Sequence, residues 1–225
     1  MRFLKDPTEP IRAIAFDVDN TVYPPNRAYR QHQQSVDIAT LAEHLRVDEA
    51  TARREFRSLR MRMFRASGVL PSSAQVLKLL GLDRRLLLPI RSALWTPENY
   101  LSPDPSTSDL LTALSQRFFV GFVTNSPKAI ARRVLLSIGF AAGEVVPIWS
   151  PEDGQAKPNV DLFRQLGAHA GLAHSQILGV GDDECSDGIP CLALGMPTLL
   201  VDGPTEIAAG LFALGIQVNS ATGRD

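Results

Sequence analysis

Apolar and polar positions divide the chain into two patterns. Ile11 to Phe16 is a short, mainly apolar run that ends in the polar string Asp17-Val-Asp-Asn-Thr21. This predicts a buried strand with carboxylates at its carboxyl end. Pro24 and Pro25 then break the chain. From Arg27 to about Arg46 the spacing is helical, with Val36, Ala39 and Leu45 among the candidates for the inner face. Asp48 is the expected N-cap of a second helix that runs to about Ala66 and is ended by Gly68. Pro71 to Leu80, stopped by Gly81, predicts a third helix, and Asp83 to Leu94 a fourth. No strand pattern occurs between Thr21 and Trp95, so this stretch is expected to be a helical insertion.

After Trp95 the pattern changes. Pro97, Pro103 and Pro105 mark a linker, and Ser106 to Gln116 reads as a helix. Phe118 to Val123 is a second apolar strand, ending at Thr124-Asn125. Ser126 to Ile138 is a helix closed by Gly139, and Glu144 to Trp149 a weaker strand. Val160 to Ala170 reads as a helix. Gln176 to Val180 is a strong strand followed at once by Gly181-Asp182-Asp183. Ile189 to Leu194 continues as helix, and Pro197 to Val201 as strand. The tail beyond Gly215 is expected to be loose.

Strands alternating with helices imply an α/β fold: a Rossmann-like parallel sheet flanked by helices, with a helical cap inserted after the first strand. The expected division is a core of residues 1–23 and 96–225 and a cap of residues 24–95. Open sheets of this kind bind ligands beyond the carboxyl ends of their strands. Three such ends carry Asp17/Asp19, Thr124/Asn125 and Asp182/Asp183.

Composition narrows the chemistry. With 225 residues, 44% hydrophobic, 21% charged and a net charge of -1, the chain has ordinary globular usage. No broad basic field attracts a nucleic-acid polymer or an anionic membrane. Arg53, Arg54, Arg57, Arg60, Arg62 and Arg65 crowd one segment, where a solvated helix face is the expectation. Cys185 and Cys191 form neither a zinc cluster nor a redox motif. Both are expected as reduced thiols, Cys185 as a small filler near the site. Residues 1–10 carry Arg2, Lys5, Asp6 and Glu9 and no long apolar run, unlike a signal peptide. Nothing reaches the ~18 apolar residues of a membrane span. A cytoplasmic location is expected.

The acids suggest a metal. Asp17 presents a carboxylate to a ligand, and Asp19, two residues on, is placed to give and take a proton. With Asp182 and Asp187 they make an oxygen-rich pocket suited to Mg2+. Thr124 offers a hydroxyl, and the turn through Asn125 and Ser126 leads to a helix N-terminus that favours phosphate oxygens. Lys157 adds a cation that holds the acids together. A carboxylate nucleophile that forms an aspartyl-phosphate is known chemistry.

Phe16-Asp-Val-Asp-Asn-Thr21 resembles the first motif of the haloacid dehalogenase-like superfamily. Thr124-Asn125 resembles its second, Lys157-Pro158 its third and Gly181-Asp-Asp-Glu-Cys-Ser-Asp187 its fourth, in the family's order. The resemblance implies an Mg2+-dependent phosphatase. Asp17 would be nucleophile and metal ligand; Asp19 would be general acid/base and offer its main-chain carbonyl to the metal. Thr124, Asn125 and Lys157 would hold phosphate, and Asp182 would ligate the metal. Asp187 would support the metal and Thr21 the first loop. Dehalogenases of the family lack the second acid, so Asp19 points to phosphoryl transfer. The string Asp-Asn-Thr-Val-Tyr-Pro, with Tyr100-Leu-Ser-Pro-Asp-Pro105, resembles the pyrimidine 5'-nucleotidase-like branch. The expected substrate is a small phosphorylated metabolite, including nucleoside 5'-monophosphates. The same residues also fit a sugar phosphomutase, or a binding or regulatory protein that retains the fold without turnover.

Neighbouring residues receive plainer expectations. Asp183 is read as a cap or a support rather than a catalyst. His32, His44, His169 and His174 show no metal-ligand pattern, and Trp95 and Trp149 are read as packing residues. Tyr23 fits the substrate entrance and packing equally well.

Overall fold

The structure is a computed structural model that describes residues 1–216. The expected loose tail therefore lies, from residue 217, outside the described residues. In chain order the elements are β1 (Arg2–Lys5), β2 (Ala13–Phe16), α1 (Arg27–Leu45), α2 (Glu49–Ser67), α3 (Ser73–Leu79) and α4 (Arg84–Leu94). Then come α5 (Pro105–Ser115), β3 (Phe119–Val123), α6 (Lys128–Ser137), β4 (Ile148–Trp149), α7 (Asp161–Ala170), β5 (Ile177–Gly181), α8 (Ile189–Ala193), β6 (Thr198–Leu200) and α9 (Thr205–Ala213). The chain forms two compact units: one of Met1–Asn26 with Thr96 onward, the other of Arg27–Trp95.

The first unit is an α/β sheet of six strands in the order β1-β6-β5-β2-β3-β4. β2 lies between β5 and β3 and runs parallel to both, with Ala13 to Phe16 matched to Ile177 to Val180 and to Phe119 to Phe122. All four β2 residues are buried, which is why the run shows no alternation. One face packs Val123, Trp149, Leu162, Phe163 and Leu166 around Ala13 and Ala15. Three details differ from expectation. β1 pairs antiparallel with β6 at the sheet edge; its four residues, two of them basic, carry no strand pattern. The weak strand shrinks to Ile148–Trp149, because Ala141–Glu144 forms a 3-10 turn whose Ala142 carbonyl accepts the N–H groups of Val145 and Val146. Pro147 has no N–H for a ladder. α9 was not anticipated, since Ile207, Ala208, Leu211 and Phe212 spread apolar residues around the helix and blur its period.

The second unit is helical throughout. Asp48 caps α2 by accepting from the Thr51 N–H at 2.8 Å, and Gly68 ends it in the left-handed region at φ 72°. Ser72 and Gln75 form a capping box at α3, and Asp83 caps α4. Ile38, Leu41, Ala52, Phe56, Val76, Leu77, Leu82 and Leu87 make its core. The inner face of α1 is turned from that expected: Tyr29, Asp37, Ile38, Leu41 and Ala42 are buried, Ala39 is exposed, and Val36 and Leu45 are half-buried. Asp37 is a polar residue on the buried stripe. Its carboxylate accepts from Arg91 Nε at 2.9 Å and Nη2 at 2.7 Å. The guanidinium in turn lies 4.7 Å from the Trp95 ring centroid. Arg54, Arg57, Arg62 and Arg65 of α2 are exposed, and no α2 arginine forms an ion pair among the described residues. No described helix is long and apolar enough to cross a membrane.

Candidate active site

The β2 ladder delivers the first acid. Asp17 donates its N–H to the Val180 carbonyl at 2.8 Å, extending the β2–β5 pairing one residue past Phe16. Beyond it the chain folds tightly, with the N–H groups of Thr21 and Val22 both reaching the Val18 carbonyl. Asn20 takes φ 62°, a conformation asparagine tolerates better than most residues. Its amide donates to Asp182 Oδ2 at 3.2 Å, tying the first loop to the end of β5. Thr21 is buried and donates to Asp17 Oδ2 at 3.3 Å.

Lys157 is the hub. Its ammonium donates to Asp17 Oδ1 at 2.6 Å and to Asp187 Oδ1 at 2.5 Å, and all three side chains are buried. Burial opposes a charged ammonium, but the two carboxylates outweigh it and hold Lys157 above its usual range. The Asn125 side chain fixes the lysine's backbone from both sides. Its oxygen accepts from the Lys157 N–H at 2.9 Å, and its amide donates to the Lys157 carbonyl at 3.1 Å.

Asp187 arrives through a π-turn, Glu184–Gly188, that Asp183 caps by accepting from the Ser186 N–H at 2.7 Å. The Asp183 N–H donates to Asp187 Oδ2 at 3.2 Å. Gly181 makes the approach possible: a Cβ there would fall within 3.0 Å of the Asp187 side chain. Burial, then the Asp17 charge, push Asp187 upward against the pull of Lys157. Asp182 is raised to about 6 by burial and by Asp17.

Carboxylate oxygens of Asp17, Asp182 and Asp187 lie within 4.8 Å of one another. Three carboxylates face one ammonium here. A hard divalent cation suits both the all-oxygen donor set and the excess of carboxylates over ammonium.

Asp19 is partly buried and stands apart from this cluster. Its Oδ1 accepts from the Tyr23 hydroxyl at 2.6 Å and its Oδ2 from the Ser126 hydroxyl at 2.5 Å. Burial and the neighbouring Asp17 raise its carboxyl above the ordinary range.

The expected residues thus meet at one end of the sheet, with some changes of role. Thr124 is fully buried and its hydroxyl accepts from the Ser126 N–H at 3.0 Å, shaping the turn that leads to α6, which begins at Lys128. Tyr23 is buried and bonded to Asp19, so packing and contact with the site coincide. Cys185 is exposed and fills nothing; Cys191 is the buried thiol. Ser126 and Asn20 were not singled out as site residues. Asn20 was legible in principle, as an asparagine at a strand-end turn, whereas the partner of Ser126 is 107 positions away.

The family model for haloacid dehalogenase-like hydrolases matches residues 11–187, and the chain belongs to this family. No curated protein matches it. Among solved structures, a haloacid dehalogenase-type phosphatase from Thermococcus onnurineus superposes with TM-score 0.63 at 20% identity, covering 92% of this chain and 100% of that one. The putative hydrolase YfnB from Bacillus subtilis, solved with magnesium bound, gives 0.56 at 20% identity, covering 92% and 100%. A 2-haloacid dehalogenase from Pseudomonas syringae pv. Tomato DC3000 gives 0.54 at 16% identity, covering 90% and 99%. These likenesses establish the fold, and it is shared by phosphatases and dehalogenases.

Proposed function

We propose that the protein is an Mg2+-dependent phosphatase that hydrolyses a small phosphomonoester through an aspartyl-phosphate on Asp17. One observation carries this reading: a buried carboxylate beside a charged lysine, with a second, raised carboxyl two residues on in Asp19. A dehalogenase needs a nucleophilic carboxylate but no proton donor for a halide leaving group. A phosphate monoester expels its alcohol as an alkoxide, which needs one.

Asp17, Asp182 and Asp187, with the Asp19 main-chain carbonyl, would hold the cation. When bound, Mg2+ supplies positive charge that offsets the acids and the phosphoryl oxygens. A carboxylate oxygen of Asp17 attacks phosphorus while the P–O ester bond breaks. The Asp19 carboxyl gives its proton to the departing oxygen. Lys157, bonded to Asp17, holds the nucleophile in place and offsets charge on the transferring group. Thr124 and Asn125 form the loop against which phosphate oxygens rest. Asp19, now a carboxylate, takes a proton from water as the water oxygen attacks phosphorus. Asp17 is released and inorganic phosphate departs. The likeness to the pyrimidine 5'-nucleotidase-like branch extends the substrate reading to nucleoside 5'-monophosphates.

Phosphate release from purine and pyrimidine monophosphates, sugar phosphates and an aryl phosphate tests this, with magnesium or EDTA. Release is expected only with magnesium and is abolished in Asp17→Asn. Undiminished release from Asp17→Asn refutes it.

A further inference from the structure

Asp19 is the only carboxylate of the site, among the described residues, held entirely by neutral hydroxyls. Tyr23 reaches one of its oxygens at 2.6 Å and Ser126 the other at 2.5 Å. The two donors come from different places. Tyr23 follows on the same loop, four residues on, and Ser126 sits at the start of the segment after β3. Both are buried, with 5% of each residue exposed. Packing therefore fixes the hydroxyls as well as the rings and chain that carry them. Ser126 is fixed further by its N–H, which donates to the Thr124 hydroxyl at 3.0 Å.

The choice of hydroxyls matters chemically. A lysine or arginine in either place would hold Asp19 only as a carboxylate, since such groups donate and never accept. A hydroxyl does both. When Asp19 is ionised, both hydroxyls donate to it. When it carries a proton, its own O–H can donate to one of them while the other continues to donate. The carboxyl group keeps its place in either state, as a group that must give a proton in one step and take one in the next requires.

The geometry assigns Tyr23 and Ser126 as positioning residues that orient Asp19 for proton transfer to and from the reacting oxygen. This assignment rests on the phosphatase reading above. It deepens that reading by naming what aims the acid, and it gives Tyr23 a role beyond packing.

The test uses two phosphomonoesters that differ in leaving group. An alkyl phosphate expels an alkoxide and depends on the acid; 4-nitrophenyl phosphate expels a stable phenolate and depends on it little. The value of kcat/KM reports the steps through leaving-group departure, so the ratio of the two values reads the acid directly. Tyr23→Phe and Ser126→Ala each remove one hydroxyl and little volume. Both are expected to lower kcat/KM for the alkyl ester about ten- to a hundredfold and for the aryl ester less than about threefold. Asp19→Asn should shift the ratio in the same direction and further. Thermal melting of each variant with circular dichroism confirms that it is folded.

Equal losses on both esters, or no loss on either, overturn the positioning role while Asp19→Asn remains leaving-group dependent. If Asp19→Asn is itself indifferent to the leaving group, or wild type hydrolyses neither ester, the phosphatase reading fails and this assignment fails with it.

Discussion

The Asp37–Arg91 pair in the helical unit gives a sharp prediction about stability. Its side chains are 6% and 7% exposed, so both charges have left water almost completely. Two hydrogen bonds, at 2.9 and 2.7 Å, and the stacked Trp95 ring compensate Arg91. Asp37 is nevertheless raised, because burial outweighs the pull of Arg91. The sign follows: a carboxyl raised on folding contributes stability below its unfolded range, and that contribution is lost as pH rises through the folded value. Burial thus works against the charge on Asp37, and Arg91 offsets it only in part. Removing one partner strands the other, at about 3–5 kcal/mol. Replacing both with apolar residues of similar size is neutral or stabilising by about 1–4 kcal/mol. For a chain of this size 1 kcal/mol moves the melting temperature by about 2–4 °C. Asp37→Leu and Arg91→Met should each lower it by about 6–20 °C, and the double variant should recover wild-type stability or exceed it. Thermal denaturation of the four proteins at pH 7 is the assay. A double variant as unstable as the sum of the singles refutes the reasoning.

Other outcomes follow from the site. Gly181→Ala drives a methyl into Asp187 and breaks its contact with Lys157. It should cost about 1–3 kcal/mol from overpacking and lower phosphate release at least tenfold, read by melting and by kinetics. Asn125→Ala frees the Lys157 backbone and should lower kcat while leaving the fold intact; unchanged kcat refutes the clamp. Saturating magnesium, at about 100 times its dissociation constant, should stabilise the wild type by about 2.7 kcal/mol in a melting assay. Asp182→Asn should abolish most of that gain. Asp48→Ala should lower the melting temperature by removing the α2 N-cap, with no change in activity.

Much of this was written locally in the chain. The apolar runs of β2, β3 and β5 announced buried parallel strands, and the acids at their ends announced the site. Asp48, Gly68 and Asp83 marked helix ends because caps are local chemistry. What escaped depended on distant partners. Asp37 carries no local sign of burial; its partner Arg91 is 54 positions away. β1 acquires its strand conformation from β6 rather than from its own residues. The hydroxyl of Ser126 bonds to a residue 107 positions away, at the end of the neighbouring strand, and the tyrosine at 23 could be placed near the site but not bonded to it.

Every group in the acid–lysine cluster comes from the unit made of residues 1–26 and 96 onward. The helical unit enters and leaves as one uninterrupted stretch, Arg27–Trp95, with its own apolar core. It is thus a cassette in the engineering sense. Replacing residues 27–95 leaves the codons of the lysine, its acids and their hydroxyl partners untouched.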